Sequence, residues 1–162
     1  AVLCRFGFMF FPDVAAAARE FARVAKPGAT ICAAVWGEPA KNPWATTVMG
    51  TIARHVAMPA PPPDSPGLFR CASAGYMSKA FAEAGLRDIA EEEVSSDMVH
   101  DTPQRYWEFM NDVAAPVVAG LAQADEAARE QIRAEVLDLA RQSVRDGTVQ
   151  MRSTATVIVG TR

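Results

Sequence analysis

The sequence has no strong excess of charge, no long apolar run and few residues that ligate metals. Sixteen basic and nineteen acidic side chains leave a formal net charge of -3 and a pI near 5.4. That balance carries no electrostatic footprint for nucleic acid. Apolar runs are broken by Arg5, Asp13 or Trp36-Gly37 well before the roughly 18 residues a bilayer span requires, so a soluble chain without a membrane span is expected. The three cysteines, Cys4, Cys32 and Cys71, are far apart and show no CxxC spacing, which fits a reducing, cytoplasmic setting. The two histidines, His55 and His100, lack a second ligand at metal spacing; either has the titration range of a base. There is neither a GxSxG nucleophile elbow nor a GxGxxG dinucleotide fingerprint. The start, Ala1-Val2-Leu3-Cys4, has no initiator methionine and no signal-peptide pattern, and reads as a cut inside a domain.

What is present alternates between strand and helix signals. Ala1 to Phe6 is a short apolar run suited to a buried parallel strand whose outer end meets a ligand. Asp13 is placed to cap a helix with Val14, Ala17, Phe21 and Val24 as its apolar stripe, and Lys26-Pro27-Gly28 ends it. Thr30 to Trp36 is apolar without alternation, as in a strand covered on both faces. Strand, helix, strand implies a right-handed crossover that brings Phe6 and Trp36 to the same sheet edge, where ligands gather in such folds.

From Gly37 to Leu68 the composition shifts toward Pro, Gly and Asn around a helical piece near Ala45 to Val56, which reads as a substrate-side insertion within a single domain spanning 1-162. Ser73 is expected to cap a helix holding Met77 and Phe81 and closed by Gly85, followed by a strand over Leu86 to Val94. Thr102-Pro103 opens a helix with Tyr106, Trp107 and Met110. A longer helix follows Asp125, carries Ile132, Val136, Leu139 and Val144, and is expected to close at Asp146-Gly147. The alternation from Val149 to Val159 predicts a final strand, antiparallel or near an edge.

Three blocks then point to a family. Arg5-Phe6-Gly7-Phe8-Met9-Phe10-Phe11-Pro12-Asp13, Arg23-Val24-Ala25-Lys26-Pro27-Gly28, and Val35-Trp36-Gly37 with Asn42-Pro43-Trp44 occur in that order. Together they resemble the ubiquinone/menaquinone-biosynthesis-like branch of class I S-adenosylmethionine-dependent methyltransferases, and the resemblance runs through nearly the whole chain. It implies an α/β Rossmann-like fold of which this is the C-terminal half: strands four to seven, mixed, the last antiparallel, with helices on the faces. It departs from the family in having Ala29 where a second glycine is common. None of the 10 glycines forms the GxG of the cofactor loop, and the acidic residue for the ribose is also unaccounted for.

On that resemblance Cys4, Arg5 and Phe6 would stand beside the methionine portion of S-adenosylmethionine. Cys4 has a competing reading as a small buried hydrophobe, and Phe6 as core. Trp36, Asn42 and Trp44 would line the mouth for a small-molecule acceptor, and Tyr106 and Trp107 would cap its pocket; packing is the alternative for all the aromatic residues. Met9, Phe10 and Phe11 read as packing at the helix start, and Glu91-Glu92-Glu93 as a solvated edge. The implied protein is a methyltransferase whose present stretch, lacking the glycine loop, is inactive and binds no cofactor alone. The alternative is a noncatalytic binding or dimerisation module, and an unpaired strand edge or apolar face predicts a homodimer.

Overall fold

The computed structural model describes residues 1-58, 62 and 64-162. The Pro59 to Pro66 stretch singled out above therefore lies partly outside the described residues. Four strands form a path in the order β1 (Val2–Arg5), β2 (Thr30–Trp36), β5 (Thr148–Thr161) and β3 (Arg87–His100), with the short β4 (Val144–Arg145) hairpinned onto β5. β1 and β2 run parallel in the register Val2↔Ile31 to Arg5↔Ala34. β5 lies antiparallel to β2, from Thr30↔Thr161 to Trp36↔Ala155. The fold is thus the mixed α/β sheet with an antiparallel last strand that the sequence implied. β5 is an interior strand, however, flanked by β2 and β3, and not an edge.

The chain groups into two compact units, Ala1–Lys41 with Pro61–Ser95 and Thr154–Arg162, and Asn42–Ala60 with Ser96–Ser153. In the first, α1 (Val14–Val24) begins where the Asp13 carboxylate accepts the Ala16 amide at 2.8 Å, as expected of its N-cap. Its buried face is Val14, Ala18 and Ala22, small residues that let a helix lie close to the sheet, with Ala17 and Phe21 half-buried beside them. Val24, expected in the stripe, is 54% exposed: it lies about a quarter-turn off that face. Gly28 takes the left-handed φ of +78° that ends the connection, and its amide bonds the Arg162 carbonyl at 3.0 Å. In β2, Ile31, Ala33 and Val35 are buried while Cys32, Ala34 and Trp36 are half-buried and Thr30 is exposed, so one face is sealed more tightly than the other.

α3 (Tyr76–Glu83) corrects one expectation. Its N-cap position is Gly75, at φ +75°, and not Ser73. The carboxylate of Glu91, from β3, accepts the amides of Gly75 and Ser78 at 3.2 and 2.8 Å. A residue distant in sequence has taken the role expected of a local hydroxyl, and a charged acceptor at a helix start is favoured by the helix dipole. Gly85, at φ +82°, closes α3 as expected. β3 runs six residues beyond the expected Val94, to His100.

The second unit is helical: α2 (Pro43–His55), α4 (Pro103–Val113), α5 (Ala115–Gln123) and α6 (Glu126–Gln142) pack around Val48, Ile52, Met110, Val117, Ile132, Val136 and Ala140, all buried. Thr102 and Asp125 cap α4 and α6 through the Arg105 and Ala128 amides, at 3.1 and 2.8 Å. α5 is an addition to the elements expected; Ala114, at φ -106° and ψ 88°, breaks the chain between α4 and α5. Asp146-Gly147 does not close a helix. Both residues have positive φ, +48° and +79°, and form the two-residue turn of the β4–β5 hairpin, so Val144 is an exposed strand residue. The alternation along β5 also changes phase: Val149, Met151 and Ser153 are buried, then Thr154, Ile158 and Gly160. The change falls at Ser153–Thr154, where the strand passes from one unit to the other.

Candidate strand-end site

The parallel pair β1 and β2 delivers Phe6 and Trp36 to neighbouring carboxyl ends. Phe6 has φ +54°, a left-handed conformation that costs a bulky L-residue on the order of 1–3 kcal/mol. Its amide is bonded to the Ala34 carbonyl at 2.8 Å, so the ladder continues one residue past β1 and then turns. The ring stacks on Trp36, with centroids 4.0 Å apart and planes 12° from parallel. Such a pair recovers roughly 0.5–1.5 kcal/mol beyond the area it buries. The Arg5 guanidinium carbon stands 5.7 Å from the Phe6 centroid, within cation–π range. Cys4 is half-buried, and its sulfur lies so near Gly7 that a Cβ there would approach it to 2.8 Å. Cys4, Arg5, Phe6 and Trp36 are therefore brought together at one strand end. Beyond Trp36, the Gly37 amide bonds the Thr154 carbonyl at 2.8 Å.

The other candidates lie in the second unit. Asn42 is fully buried, and its side-chain carbonyl accepts the Trp44 indole N–H at 3.0 Å. The buried Tyr106 hydroxyl donates to the Trp44 backbone carbonyl at 2.7 Å, tying α4 to the first turn of α2. Burial raises the Tyr106 pKa far above that of a free phenol, so this hydroxyl stays protonated and donating. Asn42, Trp44 and Tyr106 thus form one interior hydrogen-bonded set. Trp107, the next residue on α4, is half-buried and lines a separate surface cleft of about 600 Å³ with Asn111, Val118, Leu121, Arg129 and Arg133.

Among residues sequence reasoning did not single out, Glu135 bonds His55 Nε2 at 2.7 Å and Arg54 at 2.8 Å, joining α2 to α6. Arg54 and then His55 hold the Glu135 carboxyl below its ordinary pKa. His100 packs against Tyr106 and Phe109, with centroids 5.5 and 4.9 Å away, and burial lowers its pKa. No spacing on α6 marks Glu135, because its partners Arg54 and His55 stand about eighty residues away on α2. Glu91, Glu92 and Glu93 are exposed as expected, though Glu91 caps α3 and Glu93 pairs with Lys41 at 2.7 Å. Among the described residues, no three His, Cys, Asp or Glu side chains gather to hold a metal ion, and no helix is long and apolar enough to cross a membrane.

Neither a protein-family profile nor a curated protein matches the chain. Solved structures do. A candidate methyltransferase from Bacillus halodurans C-125 aligns with a TM-score of 0.51 and 15% identity over 99% of this chain and 68% of its own. The YcgJ protein of Bacillus subtilis aligns with a TM-score of 0.49 and 16% identity, and this chain spans 62% of it. Phosphoethanolamine N-methyltransferase 2 of Haemonchus contortus, solved with S-adenosyl-L-methionine, aligns with a TM-score of 0.43 and 12% identity, and this chain spans 32% of it. At these identities the likeness is one of fold, and the fold is that of a methyltransferase-like α/β sheet.

Proposed function

We propose that this chain is part of an S-adenosylmethionine-dependent methyltransferase acting on a small acceptor, and that the carboxyl end of β1 meets the methionine portion of the cofactor. The observation that carries the reading is Phe6: a strained aromatic residue at the outer end of a parallel strand, stacked on Trp36 at the end of the next. Strain of this kind clusters at ligand sites, and in open α/β sheets ligands bind outside the carboxyl ends of strands. The fold shared with the Bacillus halodurans protein supports the same choice.

The cofactor, when bound, supplies an electrophilic methyl on a sulfonium, and its transfer needs chiefly alignment with the acceptor. Aromatic rings such as Phe6 and Trp36 attract cations through their π faces, which suits a sulfonium. The residues present answer to one end of the cofactor only, because no GxG loop and no assigned ribose carboxylate occur among the 162. On this reading the stretch alone is inactive, and other residues of the complete fold must hold the adenosine. Cys4 and Arg5 shape the cofactor end, and Trp36 is the acceptor contact of the first unit. In the second unit by itself, Asn42, Trp44 and Tyr106 form an interior set, and the half-buried Trp107 is the one of these four candidates that lines a surface cleft. A reducing cytoplasm remains our reading of the compartment.

Calorimetric titration with S-adenosylmethionine tests the proposal. No measurable binding by these residues alone is expected, with binding appearing when they are joined to the strands that carry a glycine loop. Absence of binding by both would refute it. A second reading, a self-associating module, is favoured by β1 being the terminal strand of the described sheet, with Leu3 76% exposed. Sedimentation at micromolar concentration should then show a dimer, and a stable monomer would dismiss it.

A further inference from the structure

The strained Phe6 lies at the start of a connection, Phe6 to Asp13, that buries Phe8 and Met9 in the core but has few backbone hydrogen bonds of its own. Its own hydrogen bonds are those of one 3-10 turn, from the Phe10 amide to the Gly7 carbonyl at 3.0 Å and from the Phe11 amide to the Phe8 carbonyl at 3.2 Å. Pro12 has no amide hydrogen to add. The carbonyls of Phe11 and Pro12 come just before the amino end of α1, whose Ala16 and Ala17 amides are already taken by the Asp13 carboxylate and carbonyl.

Both carbonyls are taken by one side chain. Arg70, fifty-nine residues from Phe11 in sequence, donates from Nη1 to the Phe11 carbonyl and from Nη2 to that of Pro12, the latter at 3.2 Å. Three residues earlier the Gly67 amide bonds the carbonyl of Met9, itself fully buried, at 3.1 Å. Arg70 makes no ion pair among the described residues, and its Nε is buried without a partner. A guanidinium half-buried with no carboxylate is costly to keep unless its donors serve the backbone it grips. A planar fork can satisfy two adjacent carbonyls at once, which a single ammonium on a flexible stem does far less well.

We propose that Arg70 is a positioning residue: its guanidinium clamps the Phe11 and Pro12 carbonyls and so holds the β1–α1 connection in the conformation that keeps Phe6 left-handed and stacked on Trp36. Its functional meaning rests on the strand end being the cofactor end. The test contains no cofactor, so its failure is separate from failure of that reading.

Amide hydrogen exchange and near-ultraviolet circular dichroism are measured on the 162-residue chain, on Arg70→Met and on Arg70→Lys; the Trp36 band is isolated by difference from Trp36→Phe in each background. In Arg70→Met the Phe10 and Phe11 amides should exchange roughly tenfold faster or more, and the Trp36 band should weaken, while the β2 amides of Ile31 and Val35 keep their protection. Arg70→Lys should give a smaller acceleration at the same two amides. Wild-type exchange and an unchanged Trp36 band in Arg70→Met overturn the proposal, as does equal acceleration at all four amides, which marks a merely structural role. Should Arg70→Met fail to fold, Arg70→Lys is read by the same criteria.

Discussion

Gly120 and Gly50 are both helical glycines of the second unit, yet replacing each by alanine should change stability in opposite directions. Alanine is favoured over glycine inside a helix by about 1 kcal/mol, because glycine loses more backbone entropy on folding. At Gly50, on the exposed side of α2, an added Cβ meets nothing within 4 Å, so Gly50→Ala should stabilise by about that amount. At Gly120, buried on α5, the Cβ would stand 2.7 Å from Ile52 Cγ2 and 3.2 Å from Met58 Sδ. The first distance is about 1 Å inside a carbon–carbon contact minimum. Ile52 is 1% exposed, and its β-branch fixes χ1 in a helix, so Cγ2 has little room to retreat. Overpacking of this kind costs about 1–3 kcal/mol, which offsets the propensity gain and leaves Gly120→Ala destabilising by roughly 1 kcal/mol.

Ile52→Leu removes Cγ2 at nearly constant volume, at a cost below about 1.5 kcal/mol on its own. In that background Gly120→Ala should become neutral or stabilising, a coupling of about 1 kcal/mol between neighbours in contact. Urea unfolding at 25 °C of the four variants of this cycle, with Gly50→Ala as control, measures it. The thermal midpoint should move by roughly 2–4 °C per kcal/mol. If Gly120→Ala stabilises as much as Gly50→Ala, or costs the same with leucine at position 52, α5 does not pack on α2 through Gly120 and the reasoning fails.

Tyr106→Phe should lose about 1–3 kcal/mol of stability, because the tie to the Trp44 carbonyl is lost inside the protein; an unchanged urea midpoint would show that carbonyl to be satisfied without the phenol. Burial lowers the native pKa of His100 from 6.5, against a smaller opposing effect of Asp101, in a cleft also lined by Arg105, Glu108 and Asp112. The unfolded chain then binds the extra proton first, so this group makes stability fall as pH drops through 6.5 toward the lowered native value. His100→Phe should flatten that part of the stability–pH curve, and an identical slope in the variant would contradict the assignment. Burial pushes the Cys71 thiol up to about 11, so at pH 8 a disulfide reagent should label it only after denaturant is added, and equal native labelling would show the site open.

Local chemistry made much of this legible in advance. Asp13, Thr102 and Asp125 cap helices because a short oxygen-bearing side chain reaches amides three residues on whatever the tertiary context. The apolar run Thr30 to Trp36 became β2 over the same residues; Gly85 closed α3 and Gly28 turned the chain toward β2 through φ values that other residues resist, although α1 itself ends earlier, at Val24. The order strand, helix, strand sufficed to bring Phe6 and Trp36 to one edge, since parallel neighbours point their carboxyl ends the same way. The glycine pattern likewise tells directly that these residues hold no GxG loop.

Tertiary structure alone decided what depends on residues far apart in the chain. Asp-Gly can stop a helix or turn a hairpin, and pairing of Val144 with Val149 chose the hairpin. Ser73 had the chemistry of a cap, but Glu91 arrived from β3 with a stronger one. Likewise the burial of Asn42, Trp44 and Tyr106 as one bonded set, and the grip of Arg70 on Phe11 and Pro12, join positions whose separation no periodicity encodes. Hydrophobic pattern and capping act over a helical turn or a strand; which distant donor meets which carbonyl is fixed only when the packed core brings them within hydrogen-bond reach.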